Sequence, residues 1–207
     1  MNLQKIIFYP SVLVLVVVNL MPLAGILFFT WDIFTVMILY WLESAVIGFF
    51  NILKMQKVSQ QPKELTFVPF FIVHYSIFMI GHLFFIVKIF SPNVGNASDM
   101  LSAFGLVLSY LGGLFITLSF LFLSHGVSFI YNFIKKKEYL QITIKKQMAA
   151  PYKRIMIMHL ALILGGIAVA SGRLGGDMGP IIILVILKIF FDLLAHIKEH
   201  RKVILNT

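Results

Sequence analysis

The chain has 207 residues, 60% of them hydrophobic and 12% charged, and its mean hydropathy of +0.97 excludes an ordinary soluble globular domain. The formal net charge of +9 calls for no nucleic acid, because a basic rim on a membrane protein carries the same sign and attracts anionic lipid headgroups. There is no cysteine, so disulfides and thiolate metal sites are excluded and any metal must use His, Asp, Glu or water.

Apolar runs long enough to cross about 30 Å of hydrocarbon as helices recur along the chain, and none shows the alternation of a barrel strand. The first, Ile6 to Phe29, is too long for a signal peptide and lacks a small-residue cleavage site, so it reads as a mature helix. Trp31 to Leu53 follows after almost no connection, forming a tight helical hairpin. Phe67 to Phe90 is the third span. Phe104 to Ile134 is the fourth, longer than a membrane needs, with a kink or interfacial start expected near Gly112 and Gly113. Tyr152 to Ser171 and Pro180 to about His200 complete the set. The expected fold is an all-α integral membrane bundle of six transmembrane helices, one domain over residues 1–207 in the cell membrane.

Basic residues orient it. Lys5, Lys54, Lys57, Lys63, Lys135, Lys136, Lys137, Lys145, Lys146, Lys153, Arg154, Lys198, Arg201 and Lys202 fall on one side of this arrangement, and only Lys88 and Arg173 on the other. The positive-inside rule then places both termini in the cytoplasm. The expected partners are the bilayer and the anionic headgroups at that rim.

Ionisable residues within a span are costly and mark functional sites by default. Glu43, His74, His82, His125, His159, Lys188, Asp192 and His196 all lie within spans, and no histidine lies in a loop. With a helical rise of about 1.5 Å per residue, Glu43, His74, His125, His159 and Asp192 fall about 11 to 15 Å from the basic ends of their spans. His196 lies about one turn shallower, and His82 is about 12 Å from His74, too far to share one ion with it. A single one of these histidines would suit an interhelical hydrogen bond. Several imidazoles and two carboxylates at one depth exceed what packing needs.

That pattern suggests an intramembrane metal site, with His74, His125, His159, Asp192 and His196 as candidate ligands and Glu43 as general base. Imidazole and carboxylate donors suit zinc first, with iron or manganese as alternatives. Lys188 serves as a counter-charge, either to Asp192 one turn away or to Glu43. Tyr40, Trp41 and Tyr75 adjoin the layer, where they line a helix interface or contact a ligand. The chemistry expected of such a site is metal-dependent hydrolysis of a lipid-embedded substrate. Two other mechanisms use the same residues: a proton or metal-ion relay through the bundle, and a haem b held by two histidines.

The segments "YWLESAVIGFFNILK", "HYSIFMIGHLFF", "LSHGVSFIYNF", "PYKRIMIMH" and "KIFFDLLAHIKEH" resemble an uncharacterised family of bacterial and archaeal multi-pass membrane proteins. The resemblance covers most of the chain from Trp31 onward and implies no particular activity. The spacing of His196 and His200 is also similar to a histidine pair in the last span of seven-span zinc hydrolases of the ceramidase and progestin-receptor-like group. Only that spacing is shared, and it stands as an analogy.

Overall fold

The computed structural model describes residues 10–59, 61–91, 100–170 and 185, and the described residues contain helices and connections but no strand. In chain order the α-helices are α1 (Pro10–Phe29), α2 (Ile33–Val58), α3 (Phe67–Phe90), α4 (Met100–Ser128), α5 (Ile144–Ala149) and α6 (Tyr152–Ala170). A 3₁₀ turn over Pro62–Thr66 leads into α3, and a second covers Glu138–Leu140. α4 continues without a break into a π-helix, Phe129–Lys135. By length and composition three helical stretches can cross a membrane, Ile33–Val58, Pro62–Phe90 and Leu101–Lys135. The predicted span from Pro180 to His200, with Lys188, Asp192 and His196, lies outside the described residues.

The chain divides into two compact units, Met1–Ile33 with His159–Thr207, and Phe34–Met158. In the first, α1 ends against the tight connection expected from the sequence. Thr30 adopts φ 53°, a left-handed conformation uncommon for a residue bearing Cβ, and Trp31 N–H returns to the Gly25 carbonyl at 3.1 Å. The Trp31 indole lies over Gly25 so closely that a Cβ there would collide with it. Glycine at position 25 is therefore what lets Trp31 close over the end of α1.

In the second unit α2 is the central helix: 78% of its most apolar window is buried, against 39% for α3 and 22% for α4. Phe34, Val36, Met37, Ile38 and Met55 on α2 are almost fully enclosed. α3 and α4 instead expose Val73, Ile77, Phe85, Leu108, Phe115, Ile116 and Leu123. Apolar side chains exposed at this density match a hydrocarbon surround and would be a liability in water.

Contacts fix the relative helix directions. Trp41 meets Met79 while Ser44 and Gly48 meet Tyr75, so α2 and α3 are antiparallel. Phe34 packs on Tyr110, Phe50 on Phe122 and Phe129, and Lys54 on Phe133, so α2 and α4 with its π extension run parallel. Asn51 meets Gln147, and Glu43 meets Arg154, so the α5–α6 segment is antiparallel to α2. The result gathers Lys54, Lys57, Lys63, Lys135 to Lys137, Lys145, Lys146, Lys153 and Arg154 at one end, as the charge pattern requires.

Two boundaries differ from the apolar runs for identifiable reasons. α2 extends past Leu53 to Val58 because Met55 and Val58 are buried and the flanking lysines cover aromatic rings: Lys54 Nζ lies 5.3 Å from the Phe133 centroid and Lys57 Nζ 5.1 Å from that of Tyr139. α4 runs unbroken through Gly112 and Gly113, where a kink was expected. Its irregularity comes later, in the π-helix after Ser128, with Lys137 at φ 58° just beyond it.

Candidate functional site

The site is built where α2, α3 and the start of α6 meet. Glu43 is 7% exposed, midway along the buried helix. A carboxylate there is tolerable only when compensated, and Arg154 supplies the charge, with Nη1 3.4 Å from Glu43 Oε1. The separation is long for a charge-assisted hydrogen bond. Arg154 sits within the first turn of α6 and its side chain is 35% exposed, so it spans the distance between the basic face and the interior.

One residue along, the Ser44 hydroxyl donates to the Tyr40 carbonyl at 3.0 Å and approaches Met158 Sδ at 3.8 Å. The Tyr75 hydroxyl donates to the Ser44 carbonyl at 2.7 Å. Beside it, His74 Nδ1 and the Tyr152 hydroxyl are 2.6 Å apart, and the imidazole stacks on Phe70 with ring centroids at 5.6 Å. The Tyr75 and Tyr152 rings meet edge to face, with centroids 6.2 Å apart. Glu43, Arg154, His74, Tyr75 and Tyr152 thus occupy one level of the bundle. Below them, towards the basic end, Gln147 donates to Asn51 Oδ1 at 2.7 Å, and both side chains are buried.

The His74–Tyr152 pair admits two chemical states. Either the phenol donates to Nδ1 and the ring carries its proton on Nε2, or Nδ1–H donates to the phenolic oxygen and Nε2 keeps its lone pair. Only the second lets His74 act as a metal ligand, in the manner of imidazoles whose other nitrogen is held by a neighbour.

Within the second unit, His125 and His82 lie at other levels. His125 on α4 is stacked with Phe50 at 6.2 Å, about 10 Å along α2 from Glu43 by helical rise, with Phe49 and Phe122 beside it. His159, partly buried on α6, belongs to the other compact unit. His82 is buried on α3 and donates from Nδ1 to the Phe78 carbonyl at 2.6 Å, remote from His74 as expected. Trp41 donates its indole N–H to the Met79 carbonyl at 2.7 Å, so Trp41 and Tyr75 both tie α2 to α3, while Tyr40 is buried in the same helix. Among the described residues no three His, Asp or Glu side chains are close enough to share an ion. Lys188, Asp192 and His196 lie outside them.

Arg154 and Tyr152 are the site residues that sequence reading overlooks. Arg154 is absorbed into the count of basic rim charges, although its place in the first turn of a helix already put its long side chain within reach of the interior. Among the described residues Arg154 is a cation facing Glu43; Lys188, expected as a counter-charge to Asp192 or Glu43, lies outside them.

An apolar-surfaced helical bundle with a charged and phenolic cluster in its interior defines a membrane-type helical protein. More specifically, the chain belongs to the Family of unknown function (DUF6498), whose model matches residues 4–205. No curated protein and no solved structure matches the chain significantly.

Proposed function

We propose that the protein is a membrane-embedded, metal-dependent hydrolase acting on a lipid-borne substrate at the cluster around Glu43. The observation that carries this reading is the convergence of Glu43, Arg154, His74 and Tyr152 at one level, with Glu43 buried and the other three half-buried. In it, Glu43 is the general base, His74 contributes a ligand to a zinc, iron or manganese ion, and Arg154 offsets negative charge, while Asp192 and His196, further candidate ligands from the sequence, lie outside the described residues. The histidine bonded through Nδ1 has the support that ligands commonly use. A fixed site is favoured over a path because the buried face of α2 beyond the cluster is dominated by Phe34, Val36, Met37, Ile38 and Leu39.

Elemental analysis of detergent-purified protein tests the reading. About one transition-metal ion per chain is expected, falling several-fold in His74→Ala while the helix content is retained. A folded protein carrying no transition metal sinks the proposal, and a Soret band in the same sample transfers it to haem.

The 2.6 Å contact between His74 and Tyr152 also favours a second reading, a proton relay in a transporter. Liposomes distinguish the two. A relay predicts that Tyr152→Phe slows proton uptake at least about tenfold without altering metal content, since the phenol is the group that passes the proton.

A further inference from the structure

At the basic end of the second unit a cavity of about 540 Å³ opens between the turn Pro62–Thr66 and the start of α5. It is lined by Lys63, Glu64, Thr66, Phe67, Thr143, Ile144 and Lys145. The two lysines approach from sequence-distant walls, and both are exposed. Phe67 and buried Ile144 form an apolar floor.

We infer that this cleft is a headgroup site for an anionic glycerophospholipid. Three features point to that ligand. First, two lysines and one glutamate leave a formal lining charge of +1, complementary to a phosphodiester, while the Glu64 carboxylate disfavours a bare multivalent anion and can accept from headgroup hydroxyls. Secondly, Phe67 begins α3, part of a stretch long and apolar enough to cross a membrane, and Leu65 and Phe70 beside it are exposed apolar side chains that acyl chains could cover. Thirdly, other lysines of the same end behave differently: Lys54, Lys57 and Lys136 lie over the rings of Phe133, Tyr139 and Tyr131. Lys63 and Lys145 face a concavity of a size suited to a small ligand.

The walls are held independently of a lipid. Thr66 Oγ1 donates to the Lys63 carbonyl at 2.7 Å, closing the first wall, and Lys146 N–H donates to Thr143 Oγ1 at 3.4 Å in the second. The buried Gln147–Asn51 hydrogen bond anchors α5 to α2. A preformed cleft loses little ordering entropy when it is filled.

The inference rests on the membrane reading of the helices and not on the metal at Glu43, so its test is separate from elemental analysis. Full-length protein in detergent is titrated with phosphatidylglycerol, and bound lipid is counted by native mass spectrometry. The pair Lys63→Gln with Lys145→Gln is compared with Lys135→Gln and Lys137→Gln on the neighbouring rim. The cleft pair is expected to weaken retention at least about 30-fold, through loss of two charge-assisted hydrogen bonds to the phosphodiester, and the rim pair, which makes no such bond, less than about threefold. Melting temperatures of both variants should match the parent, since the substituted side chains are exposed. Equal losses in the two variants would overturn the cleft in favour of diffuse attraction. Equal retention of phosphatidylcholine, or displacement of phosphatidylglycerol by inorganic phosphate, would overturn the ligand assignment.

Discussion

Arg154 and Glu43 differ in what each loses when the other is removed. With Arg154→Gln, the buried carboxylate loses a cationic neighbour; with Glu43→Gln, the half-exposed guanidinium turns to solvent. Removing one member of a buried pair costs about 3 to 5 kcal/mol, but the exposure of Arg154 screens part of that, so about 1 to 3 kcal/mol is expected for Arg154→Gln. Glu43→Gln should cost less, and the double variant should recover part of the loss of Arg154→Gln. Thermal melting of the four proteins in one detergent checks this, and a double variant whose loss equals the sum of the two single losses would remove the coupling. The site was legible in sequence only in its interior half. Glu43 and His74 stand out because a carboxylate and an imidazole in apolar runs have few innocent explanations. Arg154 does not, because a basic residue at a span end already has a topological explanation. His125 shows what residue counting leaves open: depth from a span end does not specify which neighbour the ring meets, and here it stacks on Phe50.

At the scale of elements, the α2–α3 contact depends on close approach. Two side-chain donors, Trp41 and Tyr75, reach backbone carbonyls of the facing helix, and Gly48 makes room for the second. A Cβ at Gly48 would stand 2.5 Å from Tyr75 Cε1, so the phenol would have to leave the Ser44 carbonyl. Gly48→Ala should therefore destabilise by about 1 to 3 kcal/mol, in the range of overpacking, although alanine is the better helix former. Gly112→Ala or Gly113→Ala meets no described atom within 4 Å and should be neutral or stabilising by up to about 1 kcal/mol. A double-mutant cycle of Gly48→Ala with Tyr75→Ala identifies the cause: the penalty should vanish once the ring is absent, and its persistence would place the clash elsewhere. Such contacts explain which helix features could be read from the sequence. The α3 boundaries, Phe67 and Phe90, coincide with the apolar run because the polar 3₁₀ turn Pro62–Thr66 precedes it and the backbone becomes extended at Ser91. The end of α2 was not legible, since lysines that cover Phe133 and Tyr139 look in sequence like the start of a loop. The π-helix at Phe129–Lys135 leaves no hydropathy signature at all.

For the whole molecule, the segregation of charge is both a packing result and a statement about orientation. The contacts of Asn51 with Gln147 and of Lys57 with Tyr139 place the basic ends of α2, the π-helix and α5 at the same level, while Lys88 lies at the far end of α3. Moving such a cluster through hydrocarbon is opposed by every charge it contains, which is why lysine and arginine bias fixes the retained side. The natural absence of cysteine makes the consequence directly measurable, because every introduced thiol is the sole reactive one. Thr30→Cys, in the connection between α1 and α2, is expected to react with a membrane-impermeant maleimide on intact cells. Lys63→Cys and Lys145→Cys should remain unlabelled until the membrane is opened, when their rates should rise at least about tenfold, set by access and not by thiol chemistry. Both lysine positions are exposed in the fold, so silence on intact cells would report the barrier of the bilayer. Labelling of Lys145→Cys from outside would invert the orientation and place the headgroup cleft on the outer leaflet. Labelling of Lys63→Cys but not Lys145→Cys would contradict the shared cleft wall itself, because two residues lining one cavity cannot occupy opposite sides of a membrane.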